Sequence, residues 1–387
     1  MAALPAAIWE ALRMAFFMFW EVLWPLALGF LISALVQSVV PRESVARVLG
    51  RDGLRGATFA TLLGAASSSC SYAAVAVGRS LFRKGATFAN AILFEFASTN
   101  LVFELGLVLL VLLGWQFLAA EVAGGLLMVA VLAVLFKYTL RARLVDEARR
   151  QAEKGIAGRM EGHAAMQHAM GDRLTAVSHF FYMDIASVAQ DVVLGFLIAG
   201  ALAAWVPNDF WRSLFVAGNP SVAQVWGPFI GPVIAMLSFV CSVGNIPLAA
   251  VLWNGGISFG GVISFIFADL LILPILDIYR RYYGGRMSLY LLGTSYVAMV
   301  LAGLVIGGLF QLLGLVPSHH AVEALQAPPA WNYTTFLDLA ALALCAVLGW
   351  RFFSTGGMAM LRAMEGAAAP EHEMVHDHDD HDHHHHH

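Results

Sequence analysis

A short stretch of sequence around Cys70 recurs around Cys241, and both copies lie in long apolar segments. The stretch 67–71 (SSSCS) corresponds to 238–242 (SFVCS) at an offset of 171 residues, 241 − 70. The two halves of the chain are therefore copies of one unit. The same offset continues downstream and pairs Leu81 with Leu252, Gly85 with Gly256, Phe88 with Phe259, Ile92 with Ile263, Phe94 with Phe265, Phe96 with Phe267 and Ala97 with Ala268.

The composition places this duplicated chain in a membrane. Of 387 residues, 59% are hydrophobic and 12% are charged, and the mean hydropathy is +0.73, whereas soluble domains are about 25% charged. The apolar stretches reach the roughly 20 residues that a spanning helix needs, and they are continuous rather than alternating. We therefore predict an all-α polytopic membrane protein. Its expected partner is the lipid bilayer, and no nucleic-acid partner is expected.

Nine apolar segments are separated by charged residues, Pro and Gly. The motif LGFLI at 28–32 recurs at 194–198, an offset of 166 residues, 194 − 28, which extends the duplication upstream. Each repeat is predicted to comprise a span, a broken or re-entrant segment, and two further spans. The segments are 14–40, 56–78, 85–113, 117–136, 176–206, 227–253, 257–279, 287–315 and 335–352. The predicted domains are a first membrane repeat (1–137), a cytoplasmic linker (138–175), a second membrane repeat (176–316), an extra C-terminal span (317–354) and a His/Asp-rich tail (355–387).

Lysine and arginine in short loops mark the cytoplasmic side of a membrane protein. The loop 42–55 and the turn 79–84 are both basic, so both ends of segment 56–78 are predicted to be cytoplasmic. That segment would be a re-entrant hairpin, which is tolerated where the backbone packs in protein or lines water. Its counterpart, 227–253, has Arg212 as the only nearby basic residue and is predicted to be external. The second repeat is then inverted and the chain has seven spans, with the N-terminus outside; nine simple spans are the alternative.

Small and hydroxyl-bearing residues surround both cysteines of the broken segments. Cys70 follows a Gly-Ala-Ala entry, and Cys241 is followed shortly by Asn245 and a proline, a composition that suits a helix break. Two broken helices of this kind are expected to meet near the midplane and bind the substrate. Helix packing through small residues is the alternative role of the serines. The predicted substrate-binding residues are Ser69, Cys70, Ser71, Cys241, Ser242 and Asn245.

The paired thiols favour a soft cargo, since thiolates suit soft metals whereas carboxylates suit hard ions. If a pseudo-twofold axis relates the repeats, Cys70 and Cys241 face each other and two thiols hold a trivalent arsenic centre. The alternative is that each cysteine is a small buried hydrophobic residue. Cys345 has no counterpart and is predicted to pack in an apolar helix.

Ionisable residues inside a membrane are costly and are functional candidates by default. We predict that Glu95, Asn100 and Asp269 couple transport to the proton gradient, because Glu95 and Asp269 follow the two thiols by one segment. A structural hydrogen bond to a neighbouring helix is the alternative. Other acidic residues in apolar surroundings are Glu21, Glu104, Asp184, Asp191 and Asp277.

The C-terminal tail alternates His and Asp and ends in five histidines. It is either a metal-binding tract, with His376, His378 and His381 as ligands, or an expression tag. No P-loop pattern is present, so a secondary carrier without a cofactor is predicted. An intramembrane enzyme would need a base beside its nucleophile, and the histidine nearest a span is His179; the chain is predicted not to be an enzyme.

Five motifs carry a resemblance to a known family, namely Ser68-Ser69-Cys70-Ser71, Arg83-Lys84-Gly85, Phe96-Ala97-Ser98-Thr99-Asn100, Cys241-Ser242 and Asn245-Ile246-Pro247-Leu248. On these motifs, the chain resembles the ArsP-type permease family of bacterial membrane proteins over essentially the whole membrane region. The resemblance implies a multi-pass protein of the bacterial inner membrane that exports trivalent organoarsenicals, with cysteines contributing to recognition. The substrate would be a small molecule or metalloid, and efflux of a soft divalent metal such as copper or zinc is the alternative; the oligomeric state stays open.

Overall fold

The computed structural model describes residues 3–39, 49–50, 53–67, 71–153, 173–216, 218–238, 242–317, 331 and 333–358. These residues are helical with short connections, and no strand occurs among them. The helices of the first half are α1 (Ala3–Val39), α2 (Leu54–Ser67), α3 (Ser71–Arg83), α4 (Phe88–Asn100), α5 (Phe103–Leu112), α6 (Trp115–Thr139) and α7 (Ala142–Glu153). Those of the second half are α8 (Arg173–Trp205), α9 (Asn208–Leu214), α10 (Pro220–Ser238), α11 (Ser242–Asn254), α12 (Phe259–Ile266), a 3-10 turn (Phe267–Leu271), α13 (Leu273–Tyr283), α14 (Gly285–Leu312) and α15 (Tyr333–Ser354).

The predicted helix breaks fall partly on residues 68–70 and 239–241, which lie outside the described part of the chain. The described helices on either side are α2 (to Ser67) and α3 (from Ser71), and α10 (to Ser238) and α11 (from Ser242). The proline of the second segment, Pro247, lies inside α11. The described helices of the two segments occupy corresponding positions, since 238 − 67 and 242 − 71 are each 171.

The turn that follows each of these segments is also repeated. Thr87 caps α4 by accepting a hydrogen bond from the Asn90 amide at 3.3 Å, and Ser258 caps α12 by accepting one from the Gly261 amide at 3.3 Å. Hydroxyl caps of this kind satisfy amides that the first helical turn leaves without partners. The cap residues again differ by 171 positions, 258 − 87, so the duplication extends to the local backbone.

The first helices of the two halves pack along each other. Gly200 of α8 permits this approach, because a Cβ there would lie 2.5 Å from the Ala11 carbonyl oxygen and 2.8 Å from the Ala15 amide nitrogen of α1. The rings of Phe19 and Phe196 meet edge to face with centroids 5.6 Å apart. Small residues that let backbones approach are the usual basis of helix association in membranes, and here they join one repeat to the other.

Three basic connections come together at one end of the bundle. Helix α7 lies in the predicted linker and reaches both repeats there: Arg79 donates to the Ala152 carbonyl at 2.8 Å, and Gln151 donates to the Arg281 carbonyl at 3.2 Å. The turn after α3, the start of the linker and the α13–α14 connection therefore share a face. The remainder of the linker, 154–172, lies outside the described residues.

The number of membrane-length helices agrees with the prediction in part. Five helices of the described residues are long and apolar enough to cross a membrane, and seven if each of two bent helix pairs counts as one span. The set differs from the predicted one: α10 qualifies, and the stretch Val192–Trp205 of α8 is a shorter apolar helix. The helices are sufficient for a multi-pass membrane protein.

The extra C-terminal helix α15 docks against α1 and α8. The Trp24 amide of α1, which precedes Pro25, donates to Asp338 Oδ1 at 3.0 Å, and Tyr182 of α8 donates to the Cys345 carbonyl at 2.6 Å. Cys345 is half-buried at this contact. The helix therefore packs on the first span of each repeat, outside the predicted broken segments.

Candidate functional site

Asp269 is the centre of a buried polar cluster between the two repeats. It lies in the 3-10 turn of the second repeat and is fully buried. Ser71 of the first repeat donates to its Oδ2 at 2.7 Å, and Asn100 of the first repeat donates to its Oδ1 at 3.3 Å. Hydrogen bonds to a charged group contribute roughly 1.5–3 kcal/mol each, so this carboxyl group holds two helices of the other repeat.

The hydroxyls of Thr99 and Ser242 also interact with the Asp269 carboxyl group. Ser71 is the first residue of α3, and Ser242 is the first residue of α11. Ser71 and Ser242 occupy corresponding positions in the two halves, and both contact one buried acidic side chain.

Asn245 lies one turn further along α11 and is fully buried. Its Oδ1 accepts a hydrogen bond from Ser238 Oγ of α10 at 3.3 Å. Its Nδ2 has no hydrogen-bond acceptor among the described residues. A buried amide donor in this state is available to a bound solute or water, since buried polar groups normally have partners.

Glu95 occupies a second buried position next to this cluster. Tyr279 of α13 donates to its Oε2 at 2.8 Å, and Tyr283 donates to its Oε1 at 3.4 Å. Gly78 of α3 makes room for the carboxyl group, because a Cβ there would lie 2.5 Å from its Cδ. Tyr279 also interacts electrostatically with Asp269, so Tyr279 connects the two predicted coupling acids.

Glu121 was not among the predicted residues, yet it belongs to the same region. It lies in α6, is 1% exposed and interacts electrostatically with Asp269. Neither of its carboxyl oxygens has a hydrogen-bond partner among the described residues. It is the only charged residue of the apolar segment 117–136, which is the signal that could have identified it.

Three of the predicted residues, Ser71, Asn100 and Ser242, contact a fourth, Asp269, in the structure. Other predicted residues lie outside the described part of the chain, although Ser67, Ser71, Ser238 and Ser242 border the two cysteine positions. No group of three or more His, Cys, Asp and Glu side chains that could hold a metal ion occurs among the described residues. The predicted residues outside the description are Ser69, Cys70, Cys241, His376, His378 and His381.

Several membrane-length helices that enclose a buried polar cluster are typical of a polytopic membrane transporter. The chain belongs to the ArsP permease family, because the family described as "Predicted permease" matches residues 7–308. The predicted resemblance to this family is therefore confirmed.

Two named relatives agree with this assignment. The chain is 54% identical over 347 residues to a Mycobacterium tuberculosis protein named "Putative permease Rv2963", with 87% of this chain and 86% of that protein covered. It is 23% identical over 312 residues to the Escherichia coli protein "UPF0718 protein YraQ", with 79% of this chain and 82% of that protein covered. No solved structure matches the chain.

Proposed function

We propose that this permease exports a soft, thiophilic solute, a trivalent organoarsenical, across the bacterial inner membrane through a site between its two repeats. The observation that carries the proposal is the meeting of Ser71 and Ser242 at Asp269. Each of these serines directly follows one of the paired cysteines in the sequence. Thiols that adjoin these serines in the sequence suit an arsenic atom bonded to sulfur on one side and to an organic group on the other.

The proposed coupling uses protons. Asp269 lies at the contact between the repeats, and Glu95 connects to it through Tyr279. A carboxyl group at such a contact changes its charge when it binds a proton, and the change alters how strongly the hydroxyls of the other repeat are held. Protonation at this contact is therefore suited to switching the site between two sides of the membrane.

The cargo is tested with cysteine variants. We expect Cys70→Ser and Cys241→Ser each to weaken transport of trivalent methylarsenite by about tenfold or more, the factor that corresponds to about 1.4 kcal/mol. Cys345→Ser is the matched control, since Cys345 lies at the α15 contact, and it should transport normally. Uptake into inverted membrane vesicles and resistance of arsenic-sensitive cells provide the measurements.

Arsenite, copper and zinc enter the same assay as competing cargoes. Transport of copper or zinc that depends on both cysteines, without transport of methylarsenite, would establish the divalent-metal alternative. Normal methylarsenite transport by the Cys70→Ser/Cys241→Ser double variant would contradict the proposed binding site.

The proposed topology inverts the second repeat. It is supported by the basic connections that meet at the α7 end of the bundle. In a background without native cysteines, we expect Arg143→Cys and Arg281→Cys to be labelled by a membrane-impermeant thiol reagent from the cytoplasmic side, and Arg212→Cys from the outside. All three residues are exposed. Labelling of Arg143→Cys and Arg281→Cys from opposite sides would refute this arrangement.

A further inference from the structure

Glu121 combines three properties that a packing role does not explain. It is 1% exposed, its two carboxyl oxygens lack hydrogen-bond partners among the described residues, and it interacts with Asp269. An isolated carboxylate away from water costs several kcal/mol or more, so such a group is neutral, paired or ligated. A second negative carboxylate that interacts with the first adds to this cost.

A second side chain of the cluster also has an acceptor without a donor. Asn100 is 1% exposed and donates to Asp269, but its own Oδ1 has no partner among the described residues. Buried acceptors normally have donors, so the carboxyl oxygens of Glu121 and the amide oxygen of Asn100 are suited to accept a hydrogen bond from a proton-bearing group.

We propose that Glu121 and Asp269 form a carboxyl pair that shares one proton and that this pair is the proton-binding site of the carrier. This inference rests on the proposed function for its role in coupling. Binding of one proton from the outer side forms one O–H bond and reduces the charge of the pair from two to one. Release of that proton to the cytoplasm restores the charge, and no other bond forms or breaks.

Among the elements packed against α6, Asp269 is the acid with which Glu121 interacts. Helix α12 carries no ionisable side chain, and Glu104 of α5 interacts with Asp184. On α14, Arg286 pairs with Glu147, Tyr290 bonds to Thr139 and Tyr296 donates to the Phe229 carbonyl. Glu95 of α4 bonds to Tyr279 and Tyr283 of α13, and Tyr279 interacts with Asp269.

The path from the pair leads to the basic end of the bundle. Tyr279 interacts electrostatically with both Asp269 and Glu95. Tyr283 donates to Glu95, and Arg79 interacts electrostatically with Tyr283. Arg79 in turn bonds to α7. Hydroxyl and carboxyl groups in hydrogen-bonded series relay protons in membrane carriers, so this series gives the shared proton a route to the proposed cytoplasmic side.

The test measures the proton directly in the purified full chain, reconstituted in lipid vesicles. Infrared spectroscopy should detect a protonated carboxyl band at neutral pH that Glu121→Gln removes and that Asp269→Asn shifts in frequency. Asp338→Asn, which changes a buried acid on α15, should retain the band. A band that is unchanged in Glu121→Gln would overturn the proposal. Loss of the band on addition of sodium at constant pH would also overturn it, because the site would then bind a metal cation.

A second experiment measures the coupling of cargo transport to the pH gradient. With one proton exchanged per cargo, each unit of imposed pH gradient should change methylarsenite accumulation in inverted vesicles by about tenfold. Glu121→Gln should abolish this response while cargo exchange at equal concentrations continues; an unchanged response would refute the role of Glu121. If no cargo is transported by the unaltered protein, the proposed function fails, and the infrared result still decides whether the pair holds a proton.

Discussion

Replacement of Asp269 by alanine is expected to abolish transport. Asp269 accepts hydrogen bonds from Ser71 and Asn100 of the other repeat, at 2.7 Å and 3.3 Å, and it is fully buried. At roughly 1.5–3 kcal/mol for each bond to a charged group, removal of both should lower the transport rate by about 100-fold or more. Transport of methylarsenite into inverted vesicles, with protein amounts matched by immunoblot, is the measurement.

The conservative change Asp269→Asn separates folding from function. Asparagine fills the same volume and still accepts one hydrogen bond, so the thermal unfolding temperature in detergent should stay close to that of the unaltered protein. Proton-driven transport should nevertheless be lost, because the amide cannot bind and release a proton. Asp277→Asn is the matched control, since Asp277 is exposed and pairs with Arg280 and Arg281 on the surface. Normal proton-driven transport by Asp269→Asn would remove Asp269 from the coupling mechanism.

The repeat could be predicted because local residues determine it. The described helices of the stretches 64–71 and 238–247 lie at corresponding positions in the two halves. The offset of 171 residues found in the sequence also locates the caps Thr87 and Ser258. Residues that recur at the same offset along the chain therefore form the same local structure in both halves.

The partners of the predicted acids could not be inferred in the same way. Tyr279 and Tyr283 are separated from Glu95 by 184 and 188 positions, and no periodicity in the sequence relates α13 to α4. The second repeat has no acid at the position of Glu95, where Ile266 occurs, and the first has Ser98 at the position of Asp269. The duplication therefore places the backbone symmetrically, while the ionisable groups break that symmetry.

The two acids make different contacts between the repeats. Asp269 bonds to Ser71 of the first repeat and interacts with Ser242 of its own repeat, two residues that the duplication relates to each other. Glu95 of the first repeat bonds to two tyrosines of α13 in the second repeat. Both acids therefore join the two halves, and both contacts change when the halves move. Glu95 is thus placed to hold α13 against α4 and to pass protons along that contact.

Gly78→Val should be the most destabilising single change near this contact. A Cβ at Gly78 would lie 2.5 Å from both Cγ and Cδ of Glu95, so a valine must push the carboxyl group away from Tyr279 and Tyr283. Overpacking costs about 1–3 kcal/mol, and the loss of a hydrogen bond to a charged group adds roughly 1.5–3 kcal/mol. The expected result is a loss of about 3 kcal/mol in the free energy of unfolding, measured by denaturant titration in detergent.

A second substitution shows whether the effect of Gly78→Val acts through Glu95. Glu95→Ala alone should also destabilise the protein, because it leaves two buried tyrosine hydroxyls without their acceptor. The double variant should be more stable than the sum of the single losses predicts, by about 0.5–3 kcal/mol, since the smaller alanine makes room for the valine. Gly293→Val on α14 is the control, because a Cβ at Gly293 meets no atom within 4 Å. Strictly additive losses would mean that Gly78 and Glu95 do not form the contact that holds α3, α4 and α13 together.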